Sequence, residues 1–338
     1  MNTLRTLALT GLLGLGLNTP LAAADWPALP EVAPAPADNP TTEAKVELGR
    51  MLYFDPRFSA TGTVSCNSCH NVMLGGEDNR PVSMGVHGKT GGRSAPTVWN
   101  AAFNVAQFWD GRAATLEDQA KGPVVNPVEM GMSELEQAMD RVRAIPGYRQ
   151  YFERAFGADA MTVDNAARAV AAYERTLITP NSPYDRFAKG DKKALSAQQR
   201  RGLETFNAVG CTACHAAPTF GGTLFMKFPT FTDNEYVKRY DFMADAGRFA
   251  VTGNESDRHV FRVPTLRNIA LTAPYFHNGA VRTLDEAVRV MAKTQLNRGL
   301  SDEEVKDIVA FLNALTGEFP EQSMPRLPAT PGWAFEVR

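Results

Sequence analysis

Apolar residues recur along most of this chain at the three- and four-residue spacing of amphipathic helices, and period-two strand patterns are scarce. Four stretches open on a hydroxyl residue followed three positions later by Glu or Gln: Ser133 and Glu136, Ser196 and Gln199, Thr283 and Glu286, Ser301 and Glu304. That spacing is a capping box, in which two side chains satisfy backbone N–H groups left free at a helix start. The last stretch sets Val305, Ile308, Val309, Leu312 and Leu315 on one face and stops near Gly317. Thr162 opens another helix, with Ala166, Val170, Tyr173 and Leu177 at helical spacing. Turn formers Pro180, Asn181, Pro183 and Gly190 interrupt the pattern between residues 179 and 191. Prolines crowd residues 27–40 and again 320–331, so both ends read as extended arms over the globular part. The expected fold is mainly α.

The pattern also repeats. Pro96-Thr97-Val98-Trp99-Asn100 matches Pro264-Thr265-Leu266-Arg267-Asn268, Gly111 matches Gly279, and Thr115-Leu116-Glu117-Asp118 matches Thr283-Leu284-Asp285-Glu286. Every pair stands 168 positions apart with no gap, which marks duplicated halves. Differences between the halves then show where their roles part. Trp109 stands where His277 stands in the second half.

All four cysteines fall in two motifs, Cys66-Asn67-Ser68-Cys69-His70 and Cys211-Thr212-Ala213-Cys214-His215. C-x-x-C-H attaches c-type haem: two thiols add to the vinyl groups and the histidine faces the iron. Zinc would want its four thiolates at one site, and a redox dithiol has no reason to carry a histidine twice. The motifs therefore predict two covalent haem c groups in two mostly helical domains. No cysteine remains for disulfides.

Residues 1–24 read as a secretory signal, with Arg5, an apolar run from Leu7 to Leu17, and Ala22-Ala23-Ala24 before Asp25. The run is too short to span a bilayer, and no later segment could. Cleavage near Ala24 and a periplasmic location suit c-type haem, which is attached outside the bacterial cytoplasm. The remaining chain suffices for about two domains. A formal net charge of −2 with 21% charged residues suggests neither a nucleic-acid nor an anionic-membrane partner.

With His70 and His215 assigned as proximal ligands, the sixth positions stay open. His87 lies among Gly85, Gly88, Gly91 and Gly92, a loop able to bring an imidazole to iron and withdraw it. From the local sequence alone it reads rather as a solvated loop histidine, since loops are mostly surface. Met291 shares an inward helix face with Leu284 and Val288, either as a ligand or as core filler. A His/Met haem would have the higher potential and a His/His haem the lower.

The runs Ala106-Gln107-Phe108-Trp109-Asp110-Gly111-Arg112, Gln119-Ala120-Lys121-Gly122-Pro123 and Asn126-Pro127-Val128-Glu129-Met130 resemble the bacterial dihaem cytochrome c peroxidase family. So do Leu271-Thr272-Ala273-Pro274-Tyr275-Phe276-His277-Asn278-Gly279 and Val290-Met291, and the resemblance covers nearly all of the mature chain. It implies two cytochrome c-like domains, residues 25–180 with a peroxidatic haem and 181–318 with an electron-donating haem, followed by an extension over 319–338. Carried over by position, His87 is a displaceable distal ligand, Met291 the distal ligand of the second haem, and Trp109 a residue between the haems. Gln119 and Glu129 line the peroxide pocket. The resemblance also implies a homodimer, and a small cytochrome c or blue copper protein as electron donor.

It further implies calcium between the domains, bound by two backbone carbonyls at Thr272 and Pro274 and an asparagine whose position is Ser94 here. A hydroxyl is the weaker calcium ligand, so the site is expected to be looser or more hydrated. His259 matches no ligand and reads as a surface or structural residue.

The implied chemistry accounts for these residue types. Heterolysis of hydrogen peroxide needs an open iron site, hence removal of His87. Glu129 can take a proton and return it to the departing oxygen, and Gln119 can orient peroxide without adding charge. Two other functions compete. A related dihaem class modifies protein tryptophans but has tyrosine at the position of Met291. In a dihaem electron carrier both irons would stay six-coordinate and Glu129 would have no task.

Overall fold

The computed structural model of the chain describes residues 27–216 and 218–330; the signal segment 1–24 and residues 331–338 lie outside these. Each half is framed by three helices. In the first they are α1 (Glu43–Phe54), α2 (Leu116–Val125) and α3 (Val163–Glu174); in the second, α4 (Ala197–Val209), α5 (Leu284–Leu296) and α6 (Asp302–Asn313). Among the described residues the one sheet is a short antiparallel pair, β1 (Phe225–Lys227) with β2 (Val260–Arg262).

The frame helices cross at their closest where a side chain is missing. A Cβ on Gly49 of α1 would lie 1.9 Å from the Ala169 carbonyl oxygen of α3, and one on Gly202 of α4 would lie 1.9 Å from that of Asp307 on α6. Glycine at these two crossings lets the backbones touch. Around them the first half buries Leu48, Leu52, Tyr148, Phe152 and Tyr173. The second buries Leu203, Phe206, Phe220, Ile308 and Phe311. Each such side chain contributes about 1.5–3 kcal/mol relative to exposure.

Helix starts follow the sequence with two corrections: at Thr283 only half of the expected box forms, because Glu286 accepts from the Tyr240 hydroxyl instead, and at Ser133 none does. Ser196 and Ser301 form complete capping boxes, and Thr162 and Thr283 accept from the N3 backbone N–H. The helix Leu135–Arg143 is instead capped at Glu134, because Ser133 spends both its backbone N–H and its hydroxyl on the Gln137 side chain. The final helix ends at Asn313, short of Gly317, since Gly317 packs against the Thr179 carbonyl and donates its N–H to Asn268.

The repeat is visible in detail. Asn100 and Asn268 both adopt left-handed φ of 64° and 60°, and both side-chain amides donate to the hydroxyl of one buried residue, Thr179. The bridge Gln107–Ala113 recurs as Tyr275–Val281. The halves then meet through reciprocal bonds: Ser94 N–H donates to the His277 carbonyl at 2.7 Å, and Arg262 N–H to the Trp109 carbonyl at 2.8 Å. Ser94 and Arg262 are repeat mates, as are Trp109 and His277, so a local pseudo-twofold relates these two bonds.

The arms cross over. Leu29 in the first arm is buried and donates its N–H to Asp185, which forms a fully buried bidentate ion pair with Arg267 in the second half. Phe319 in the last segment packs edge-on to Trp99 of the first half at 4.8 Å. Trp99 and Arg267 are themselves repeat mates, so each arm covers the matched position of the opposite half.

Candidate active site

The first attachment motif follows α1 and forms its own short turn of helix, Cys66–Cys69. His70 Nδ1 faces the Pro96 carbonyl oxygen at 2.9 Å, and His215 Nδ1 faces that of Phe220 at 3.0 Å. Fixing Nδ1 on a carbonyl assigns the proton there and leaves Nε2 as the lone-pair donor for iron. Burial pushes both imidazoles down, toward the neutral form that can ligate. The thiols move the other way: burial raises Cys66 and Cys211 to about 12 and Cys69 to about 11. A redox dithiol or a thiolate metal site lowers these values instead. Among the described residues no cluster of three His, Cys, Asp or Glu could hold a metal ion.

A large apolar cavity in the second half is lined by Cys211, Cys214, His215, Met291, Phe228 and Phe261. Two polar side chains on its wall, Arg262 and His277, carry buried nitrogens without partners. A mostly apolar slot with two thiols and a histidine at one end, a thioether on its wall, and unsatisfied polar atoms suits haem c, whose ring is apolar and whose carboxylates are not. A second apolar cavity lies beside Cys66, lined by Leu52, Phe58, Ala120, Val124 and Met130. Ala120 and Met130 are the chain neighbours of Gln119 and Glu129. The lining of the cavity in the second half fits the group, and the one in the first half shares Cys66 with its attachment motif.

Glu129 is half-buried and accepts a hydrogen bond from Asn126 Nδ2 at 2.7 Å. Burial pushes its carboxyl above the usual range, and Arg112 partly opposes this. That guanidinium lies 3.4 Å from the Phe108 ring centroid and pairs with Asp110. Gln119 is half-buried on α2. His87 is exposed with φ of 56° in the short turn Val86–Gly88, and borders a separate recess with Ser68 and Asn71. Its loop is soft only at the tip. Gly91 and Gly92 have open space around them, whereas Gly85 abuts the Val128 and Glu129 carbonyls and Val86 N–H donates to Glu129 O at 2.9 Å.

Between the halves, Trp109 donates its indole N–H to the Ser94 carbonyl at 2.9 Å and meets the His277 ring edge-on at 6.3 Å. Ser94, Thr272 and Pro274 are among the residues lining the cavity. Sequence reading missed a fourth member, Glu77, 1% exposed in the same lining. Its carboxyl is raised to about 8 by burial and by Asp78, with a hydrogen bond from Asn79 but no cation beside it. Asn79 also donates to the Leu271 and Ala273 carbonyls, which flank Thr272. Arg262 was missed as well, although it stands two before Pro264 as Ser94 stands two before Pro96. His259 is structural: it is buried, and its Nδ1 lies 2.7 Å from the Asp245 carbonyl oxygen.

The chain is similar to known proteins along most of its length. The di-haem cytochrome c peroxidase family profile matches residues 43–193. The chain is 46% identical to cytochrome c551 peroxidase of Nitrosomonas europaea over 96% of its own length and 95% of that protein's. It is 45% identical to cytochrome c551 peroxidase of Pseudomonas aeruginosa, covering 95% of each. Its fold superposes on a MauG-like protein associated with microbial copper homeostasis with a TM-score of 0.74 and 29% identity, over 86% of this chain and 95% of that one. With relatives this similar along almost the whole chain, and with both haem slots framed by a mainly α fold, the chain belongs to the di-haem cytochrome c peroxidase family.

Proposed function

We propose a division of labour within this dihaem peroxidase: residues 25–180 form the domain that reduces hydrogen peroxide and residues 181–318 the domain that stores the incoming electron. The asymmetry of the two slots carries this reading. A half-buried carboxylate with a raised pKa stands near the first, and Met291 lines the second. Haem c, when bound, supplies the redox-active iron and the stored electrons at each site. The chain handles the protons. Glu129 takes one from peroxide and returns it to the departing oxygen, while the Gln119 amide orients the substrate. Overall, H2O2 with two electrons and two protons gives two waters, one electron from each haem.

The turn carrying His87 regulates access. Its stem is tied to the Glu129 backbone through Val86, so withdrawal of the imidazole leaves the catalytic carboxylate in register. Trp109, between the second cavity and the Ser94 carbonyl, bridges the two sites. Calcium joins the halves through Ser94, Thr272 and Pro274, with Glu77 supplying the negative charge that Ser94 does not. The signal-like segment 1–24 and the two haem-attachment motifs support a periplasmic protein cleaved near Ala24, and the family resemblance supports a homodimer served by a small cytochrome c or blue copper donor. Native mass spectrometry of the secreted protein checks the mature terminus and the dimer together.

The half-reduced protein tests the assignment. With one electron added, the first haem is expected to become high-spin and bind cyanide while the second stays low-spin. If both stay low-spin and peroxide is not consumed, the site is that of an electron carrier.

A further inference from the structure

Arg262 carries a positive charge into the protein interior with nothing opposite it. It is 3% exposed, its backbone N–H holds the Trp109 carbonyl, and its Nε donates to the Phe108 carbonyl at 3.3 Å. Its Nη1 has no partner. No carboxylate offsets its burial, which alone pushes it down to about 10, so it stays protonated at neutral pH. An unpaired buried guanidinium is among the costliest groups a fold can carry, and it persists where a ligand completes it.

A second unpartnered nitrogen belongs to a residue lining the same cavity. His277 is 2% exposed, stacks on Phe261 with ring centroids 4.4 Å apart and 17° between planes, and leaves Nε2 without a partner. As a neutral imidazole, the ring can donate one hydrogen bond from Nε2 without adding charge. Arg262 and His277 line the cavity that also holds Cys211, Cys214, His215 and Met291. Their repeat mates in the first half are Ser94 and Trp109, which satisfy each other through the Trp109 indole N–H. The second half thus presents a cation and a donor where the first presents a closed pair.

We propose that Arg262 and His277 together bind a carboxylate of the haem held by Cys211 and Cys214, and that Arg262 thereby fixes the charge environment of the electron-storing site. This rests on the second cavity holding haem c. The ligand chemistry follows from the groups: a guanidinium and a neutral donor, both dehydrated, select a single carboxylate. Because the backbone of Arg262 holds the Trp109 carbonyl, the anchored carboxylate sits one residue from the bridge between the halves. A positive charge there stabilises the reduced haem, which carries one more electron, and so raises its midpoint potential.

The test uses the mature dihaem protein. Haem content by pyridine haemochrome checks the underlying reading first: one haem per chain in the wild type would sink that reading, independently of the anchor. With two haems present, Arg262→Gln is expected to lower the midpoint of the second haem and to shift the propionate bending mode in its resonance Raman spectrum. Arg262→Lys restores most of the potential, since it restores the charge. An unchanged midpoint and an unchanged mode in Arg262→Gln overturn the proposal. Should that variant lose haem, His277→Phe serves in its place, because it keeps the stack on Phe261 and removes only the donor. The bending mode then shifts if the anchor is real and stays at its wild-type position if it is not.

Discussion

A carboxylate that accepts and returns a proton within one turnover works best with a pKa nearer neutrality than the roughly 4.3 of a free glutamate. Burial moves Glu129 in that direction and Arg112 restrains the move. The sign of the pH dependence follows. Only the ionised form can take the proton from peroxide, so kcat/KM falls as pH drops through this raised pKa. Glu129→Gln is expected to keep both haems, lose about 10²–10⁴ of the turnover, and lose the acid limb of the profile with it. Near-wild-type turnover in that variant would remove Glu129 from the mechanism. Such residues differ in how far sequence reveals them. Cys66, Cys69 and His70 are legible because covalent attachment fixes their spacing within five positions. Glu129 was readable only through its motif context, since nothing local separates it from a surface glutamate. Arg262 and Glu77 stayed hidden because their meaning depends on what their charges fail to meet once buried.

At the scale of elements, the glycines at helix crossings decide the frame, and they were not legible as such. A lone glycine inside a helical pattern reads as a mild penalty of about 1 kcal/mol, not as a contact surface. Gly49 and Gly202 take that penalty because a Cβ at either place would strike a carbonyl of the partner helix. Gly202→Ala is expected to destabilise the second half by about 1–3 kcal/mol, as overpacking does, and to leave the first half intact. Calorimetry resolves this as an earlier transition, and absorption spectra show a change at the second haem over the same temperatures. Equal stability of variant and wild type would mean that α4 and α6 separate without cost. The caps, by contrast, were legible because a cap depends on neighbours in sequence. The misses show the limit: at Ser133, Gln137 lies within the same local reach and competes for the same hydroxyl, and at Thr283 the distant Tyr240 takes the Glu286 carboxylate.

Across the whole molecule, three kinds of link join the two repeats besides the reciprocal backbone bonds of Ser94 and Arg262. The arms exchange sides, with Leu29 on the Asp185–Arg267 pair and Phe319 on Trp99. Thr179 takes an amide from Asn100 and another from Asn268. The third link is the wall where Glu77 and Ser94 from the first half face Thr272 and Pro274 from the second. The duplication behind these links was readable from the constant offset of 168 positions, whereas the crossing of the arms was not, since proline-rich composition says nothing of where a segment lies. A buried Glu77 with only Asp78 as a charged neighbour weakens the wall unless a cation enters. The calcium proposed for this wall would satisfy it, since calcium takes oxygen ligands and binds more tightly as more of them are anionic. Glu77→Gln keeps the shape and removes the charge. Isothermal titration of the dihaem protein is expected to show calcium bound roughly tenfold more weakly or worse, a loss of about 1.4 kcal/mol in the stabilisation that saturating calcium gives the fold. The variant's melting temperature should then respond less to a chelator than that of the wild type. If calcium binds both proteins equally well, the ligand set is carbonyl and water alone, and Glu77 is a buried acid kept neutral by its surroundings.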